Sequence, residues 1–178
     1  LGDANVTAVY MAEDSGAVVH CAGMKFDTDQ TNNIDEANTL DDYEEGYYDA
    51  VFTCGTSGTI TAHTSYDDVA YTKIGRVVHI QSYVDVSSVS SPVGALRVSL
   101  PFTTTNLTGQ SDHAFGTVKL ILVDLTDASS HGLSIHTSGD SAFATITYTK
   151  DASAPGNDLA GSVSASDSIL FSLTYFVE

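Results

Sequence analysis

Between Arg76 and Val86 the chain reads RVVHIQSYVDV, and it alternates. Val78, Ile80, Val84 and Val86 fall on one side of an extended backbone, and His79, Gln81, Tyr83 and Asp85 fall on the other. Successive side chains point to opposite faces in a strand, so this period of two predicts a β-strand with one buried face. The same rhythm returns in ALRVSL (95–100), where Leu96, Val98 and Leu100 alternate with Arg97 and Ser99. It returns again in AFATITYT (142–149) and in SILFSLTYFVE (168–178), where Ile169, Phe171, Leu173, Tyr175 and Val177 share a face. GTVKLILVDL (116–125) is almost continuously apolar, which predicts a strand covered on both faces.

Hardly any stretch sustains an apolar repeat of 3.6 residues, so helix is not expected to contribute much. Turn-forming clusters separate the β-like runs: SSVSSPVG, TTTNLTGQSD, DASSHG and DASAPGND. Short strands punctuated in this way predict an all-β fold, an antiparallel β-sandwich of jelly-roll-like outline. At 178 residues and 42% hydrophobic the chain can bury a core of its own. We place that head domain at residues 47–178.

Residues 1–46 read as a short N-terminal β stem followed by an acidic connector. NVTAVYMA and GAVVHCAGMKF are β-prone, and the polar DTDQTNNIDEANTLDDYEEG that follows has no apolar period. Charge is uneven. The chain carries 6 Lys and Arg against 23 Asp and Glu, for a net −17. Residues 1–50 hold 12 of the acids and only Lys25 among the bases. A surface of this sign repels phosphate backbones, so neither nucleic acid nor an anionic membrane is an expected partner. No apolar run approaches the ~20 residues that span a bilayer. Residues 1–20 lack a basic start and a long apolar core, so no signal peptide is read there. Cys21 and Cys54 allow one disulfide and fix no compartment.

The densest acidic stretch, Asp35, Glu36, Asp41, Asp42, Glu44 and Glu45, invites a calcium or catalytic reading. An EF-hand loop beginning at Asp27 would have Asp29 third, but Thr31 fifth, Asn32 sixth and Asn38 twelfth, so the pattern fails. A glycosidase needs two carboxylates across a cleft, one of them buried enough to stay protonated, and a polar connector offers no such burial. His20, His63, His79, His113, His131 and His136 do not make zinc spacings with the two cysteines. Ser, His and Asp occur together in HTSGDSA (136–142), too close in sequence to converge as a triad. We therefore expect no metal, no cofactor and no catalysis. Binding is expected from exposed aromatic and polar groups near turns, with Tyr66, Asp67, His113 and His131 as the candidates.

Three motifs in order carry a family resemblance. GMKFDTDQTNNIDEANTLDDYEEG (23–46), then YTKIGRVVHIQ from Tyr71, then GALRVSLPFT from Gly94, followed by a closing FSLTYF, resemble a module of tailed-bacteriophage virion proteins. Tail-fibre and receptor-binding proteins are the members in question, and the resemblance covers residues 23–178. Where that module usually continues with a Trp-containing TWTP, this chain has Tyr47-Tyr48-Asp49-Ala50. The resemblance implies a non-enzymatic structural protein of the virion, a homotrimeric fibre or appendage contacting other virion proteins. It also implies that the head binds a host surface glycan or protein. The alternative is a capsid-decoration or head-fibre module that binds other virion proteins. The motifs themselves read structurally: Gly75 suits a tight turn between strands, Pro101 a strand end, and Phe102 a lid on the core.

Overall fold

The computed structural model describes residues 24–25, 39–40, 43–125, 130–150, 156 and 158–178. The chain divides into two compact units, Leu1–Asp41 and Asp42–Glu178. In the first, β1 (Met24–Lys25) pairs antiparallel with β2 (Thr39–Leu40).

The second unit contains β3 (Tyr43–Asp49), β4 (Phe52–Cys54), β5 (Ser57–Ala62), β6 (Asp68–Ile74), β7 (Val77–Val93) and β8 (Leu96–Ser99). It continues with β9 (Phe115–Ile121), β10 (Ser130–His136), β11 (Phe143–Lys150) and β12 (Ser168–Phe176). Every pairing is antiparallel, and two short 3-10 segments, Thr108–Gln110 and Leu159–Ser162, are the only helical turns among the described residues. The strands run β3-β6-β7-β12-β9-β10-β11-β8-β4, with β5 also on β7. The all-β antiparallel class read from the sequence is the one adopted.

A long hairpin organises this sheet. Ile74 pairs with Val77, so Gly75-Arg76 is a two-residue loop. Gly75 has φ +55 and Arg76 is not among the positive-φ residues, which matches the type II′ turn that suits strand twist. The expected glycine turn is there. The first half of β7 lies between β6 and β12, and the second half, from Val86 to Val93, pairs with β5. Val78, Ile80 and Val84 are wholly buried and Val86 nearly so. Each such side chain stabilises the fold by roughly 1.5–3 kcal/mol relative to exposure.

The inward residues of almost all the strands meet in one cluster. Phe52, Ile60, Val69, Ile80, Val98, Ile135, Ile146 and Leu173 come from eight different strands and share it. A single path of strands with one core must curl on itself, and the result is a half-barrel. Two contacts draw its ends together: Tyr48 of β3 donates a 2.9 Å hydrogen bond to the Ser99 carbonyl of β8, and Tyr71 of β6 meets Phe102 edge-on at 5.4 Å. Phe102 packs on the core as expected of a lid.

Two expectations need correction. Strand β9 is not covered on both faces: Phe115 is 73% exposed and Lys119 is exposed, while Gly116, Val118 and Leu120 turn inward. The sheet is one layer thick there, so the outward residues meet solvent. Glu44 and Glu45, which the sequence assigns to the acidic connector, belong to β3, whose strand starts at Tyr43. An edge strand tolerates them, because its outer residues stay wet. The rest of the acidic stretch lies outside the described residues.

Candidate functional site

Strands β5 and β6 are two parts of one partner to β7, interrupted by a bulge. Ala62 pairs with Val86 and Val69 with Ser82, so six residues, His63 to Asp68, face only three, Tyr83 to Asp85. The excess must loop outward. It is pinned by His63 N–H to the Asp85 carbonyl at 2.8 Å, Asp85 N–H to the Tyr66 carbonyl at 3.1 Å, and Tyr66 N–H to the His63 carbonyl at 2.7 Å. The Tyr66 ring leans on the His63 ring, 5.4 Å between centres, and remains 54% exposed. Ser65 N–H donates to His63 Nδ1 at 3.2 Å, so the neutral imidazole carries its proton on Nε2.

The bulge carries carboxylates to the end of β3. Ala50 N–H donates to the Asp67 carbonyl at 2.8 Å, and Asp49 stands opposite Asp68 in the β3–β6 register. Asp49, Asp67 and Asp68 each place a carboxylate oxygen within 4.8 Å of the others. These are the oxygen donors that a hard cation takes, and exposed acidic groups also stand this way without one. Beside them opens a groove of 620 Å³ between β4 and β5. Phe52 and Ile60 form its apolar floor, and Asp49, Asp67 and the threonines Thr53, Thr59 and Thr64 line it with polar atoms. An apolar floor with a few polar groups at the rim is the composition of a small-ligand site.

Tyr66 and Asp67 are thus neighbours at one site. His113 is not with them. Asp85, bonded to Tyr66, pairs with Ser168, and Ser168 pairs with Ile121 at the far end of β9. His113 precedes Phe115 at the other end, six strand residues or about 20 Å away. There its Nε2 lies 4.0 Å from Oδ1 of the buried Asp112. Asp112 Oδ2 accepts from Leu107 N–H at 3.2 Å, and its Oδ1 has no hydrogen-bond partner. His131 is in β10, and its side chain lies outside the described residues.

The other sequence candidates are occupied structurally. Glu44 accepts from Tyr71 Oη at 2.5 Å and Glu45 from Tyr43 Oη at 2.7 Å, on alternate faces of β3. In HTSGDSA the Ser141 hydroxyl donates to the Phe143 carbonyl at 2.6 Å. Cys54 is a half-buried thiol and Cys21 lies outside the described residues. The sequence reading missed Asp49 and Asp68. Asp67-Asp68 is visible as a doublet, but only the β3–β6 register brings Asp49 to it.

No family model and no curated protein matches the chain. Among solved structures, the crystal structure of the Dettilon tailspike protein (gp208) is similar in fold, with a TM-score of 0.53 and 20% sequence identity. The likeness covers 75% of this chain and 24% of that protein, so the chain spans about a quarter of its structural neighbour.

Proposed function

We propose that this chain is a module of a tailed-phage virion protein, a tail fibre, tailspike or related appendage. In this reading its half-barrel attaches the particle to a glycan or protein on the host surface. The observation that carries the reading is the shared fold: three quarters of the chain overlays part of a tailspike. The ordered motifs ANTLDDYEEG, YTKIGRVV and GALRVSLPF, read from the sequence independently, point to the same class. The groove lined by Asp49, Asp67, Thr53, Thr59 and Thr64, with the exposed Tyr66 of the same bulge next to Asp67 in the chain, supplies an attachment surface of suitable chemistry. The module is proposed to act as a homotrimer, alongside other virion proteins.

The role is binding rather than catalysis. Asp49 and Asp68 are exposed, and neither sits in the dry surroundings that hold a general acid protonated. The test is adsorption. The labelled 178-residue chain is incubated with a panel of bacteria, and those that it decorates are challenged with phage. Attachment, and lower infection in its presence, supports the reading; a Tyr66→Ala, Asp67→Asn pair that adsorbs unchanged moves the attachment surface away from this groove. Release of reducing ends from host polysaccharide would overturn the non-catalytic assignment.

A further inference from the structure

The acidity of this chain is not shared by its whole sheet. Strands β12, β9, β10, β11, β8 and β4 are adjacent in the strand order and contain no Asp or Glu at all. They contain three of the six bases, Lys119, Lys150 and Arg97. The strand acids are confined to the other side: Glu44, Glu45 and Asp49 in β3, Asp68 in β6 and Asp85 in β7. In a chain of net −17, these six strands carry bases and no acids, and the aspartates of this half stand in its loops.

Arg97 stands in β8, one strand in from the edge of this half. Its guanidinium lies over the Phe143 ring, 4.4 Å from the ring centre, and it makes no ion pair with any described carboxylate. Its Nε is covered and without a hydrogen-bond partner. The side chain is therefore held by stacking, and no carboxylate among the described residues neutralises its charge. Such a guanidinium presents a planar fork that matches a carboxylate.

The register extends Arg97 into a row. Thr53 pairs with Arg97, Arg97 with Thr145, Thr145 with His136, and His136 with Phe115. All five face outward, opposite the core residues Phe52, Val98, Ile146 and Ile135. Four strand spacings of about 4.8 Å make the row about 19 Å long. It offers hydroxyls on both sides of the cation, a half-buried imidazole and an aromatic ring that is 73% exposed. Burial, with His113 nearby, holds His136 below the usual histidine range, so at neutral pH it is an uncharged hydrogen-bonding group.

We infer that this row binds a carboxylate-bearing saccharide, with Arg97 gripping the sugar carboxylate and Phe115 stacking on a ring further along the chain. A single cation flanked by hydroxyls suits one acid group per few sugars, whereas a nucleic acid would need a series of cations. The choice of a saccharide rests on the attachment role proposed above; the anion preference rests on Arg97 and the acid-free strands.

Calorimetry of the full chain with oligogalacturonate, and with its methyl ester as the uncharged control, tests this. The acid form is expected to bind at least tenfold more tightly, with the preference shrinking as salt is raised. Arg97→Gln should abolish the preference, Arg97→Lys should keep part of it, and Phe115→Ala should weaken both forms alike. Equal binding of the two forms, no binding of either, or a preference that survives Arg97→Gln overturns the inference. Attachment to cells is scored separately. Cell attachment without uronate preference overturns this inference alone, and uronate preference without cell attachment supports it while overturning the attachment role.

Discussion

The hydroxyl of Tyr48 donates to the carbonyl of Ser99 across 51 positions of sequence, at 2.9 Å. Tyr48 lies in the first strand of the sheet order and Ser99 in the last but one. Their bond therefore joins the two ends of the half-barrel, beside Ser99 N–H to the Val51 carbonyl and Val51 N–H to Ser99 Oγ. Tyr48→Phe leaves the ring in place and orphans the carbonyl, so it should cost about 1 kcal/mol. Urea denaturation measures this; an unchanged midpoint would show that the ends are held by packing alone.

The same phenol sets the alkaline limit. Burial pushes Tyr48 and Tyr175 well above the usual tyrosine range. The unfolded chain ionises near pH 10 and the folded chain resists. This contribution to stability is therefore complete below pH 10 and is lost as pH rises beyond it. His136 acts at the other limit. Its folded value is lowered by burial, so its contribution is complete above about pH 6.5 and is lost as pH falls. Melting temperature against pH should decline at both ends, with Tyr175→Phe flattening the alkaline decline and His136→Gln the acid one. A profile that neither variant alters would contradict the assignment.

Two glycines with left-handed backbones should differ sharply in tolerance. Gly75 has φ +55 with nothing within 4 Å of an added Cβ, so Gly75→Ala costs only backbone strain, about 1 kcal/mol. Gly58 has φ +84, and a Cβ there would lie 2.1 Å from the Ser91 carbonyl oxygen. Gly58→Ala adds a backbone clash to that strain, for about 3 kcal/mol or more. Equal midpoints for the two variants would contradict the β5–β7 register.

Asp49 and Asp68 face each other as like charges, which destabilises a cross-strand pair. Without divalent cations, Asp68→Asn should raise stability by about 0.5 kcal/mol, and added salt should shrink the gain. With calcium present, a loss of stability on that substitution that a chelator abolishes would instead mark the trio as a cation site.

The sheet was legible where one strand's own residues carry the message. The alternations at Val78–Val86 and Ile169–Val177 became buried faces, and Gly75 became the turn that leads from β6 into the first of them. Strand β10 was hidden: SHGLSIH has only Leu133 and Ile135 to mark a face, and its pairing comes from β9 and β11 on either side. The continuous run of β9 suggested two covered faces because sequence shows apolarity and not the number of layers. Of the site, Tyr66 and Asp67 were visible as polar groups at a turn. Their companion Asp49, and the row through Arg97, depend on register between strands far apart in the chain.

The proposed function places this module in the attachment apparatus of a tailed phage. The most direct measurement is electron microscopy of phage particles labelled with gold-conjugated antibody raised against the full 178-residue chain. Gold is expected at the tail, on fibres or spikes. Gold confined to the capsid surface, or particles left unlabelled by an antibody that recognises the folded protein, would contradict it.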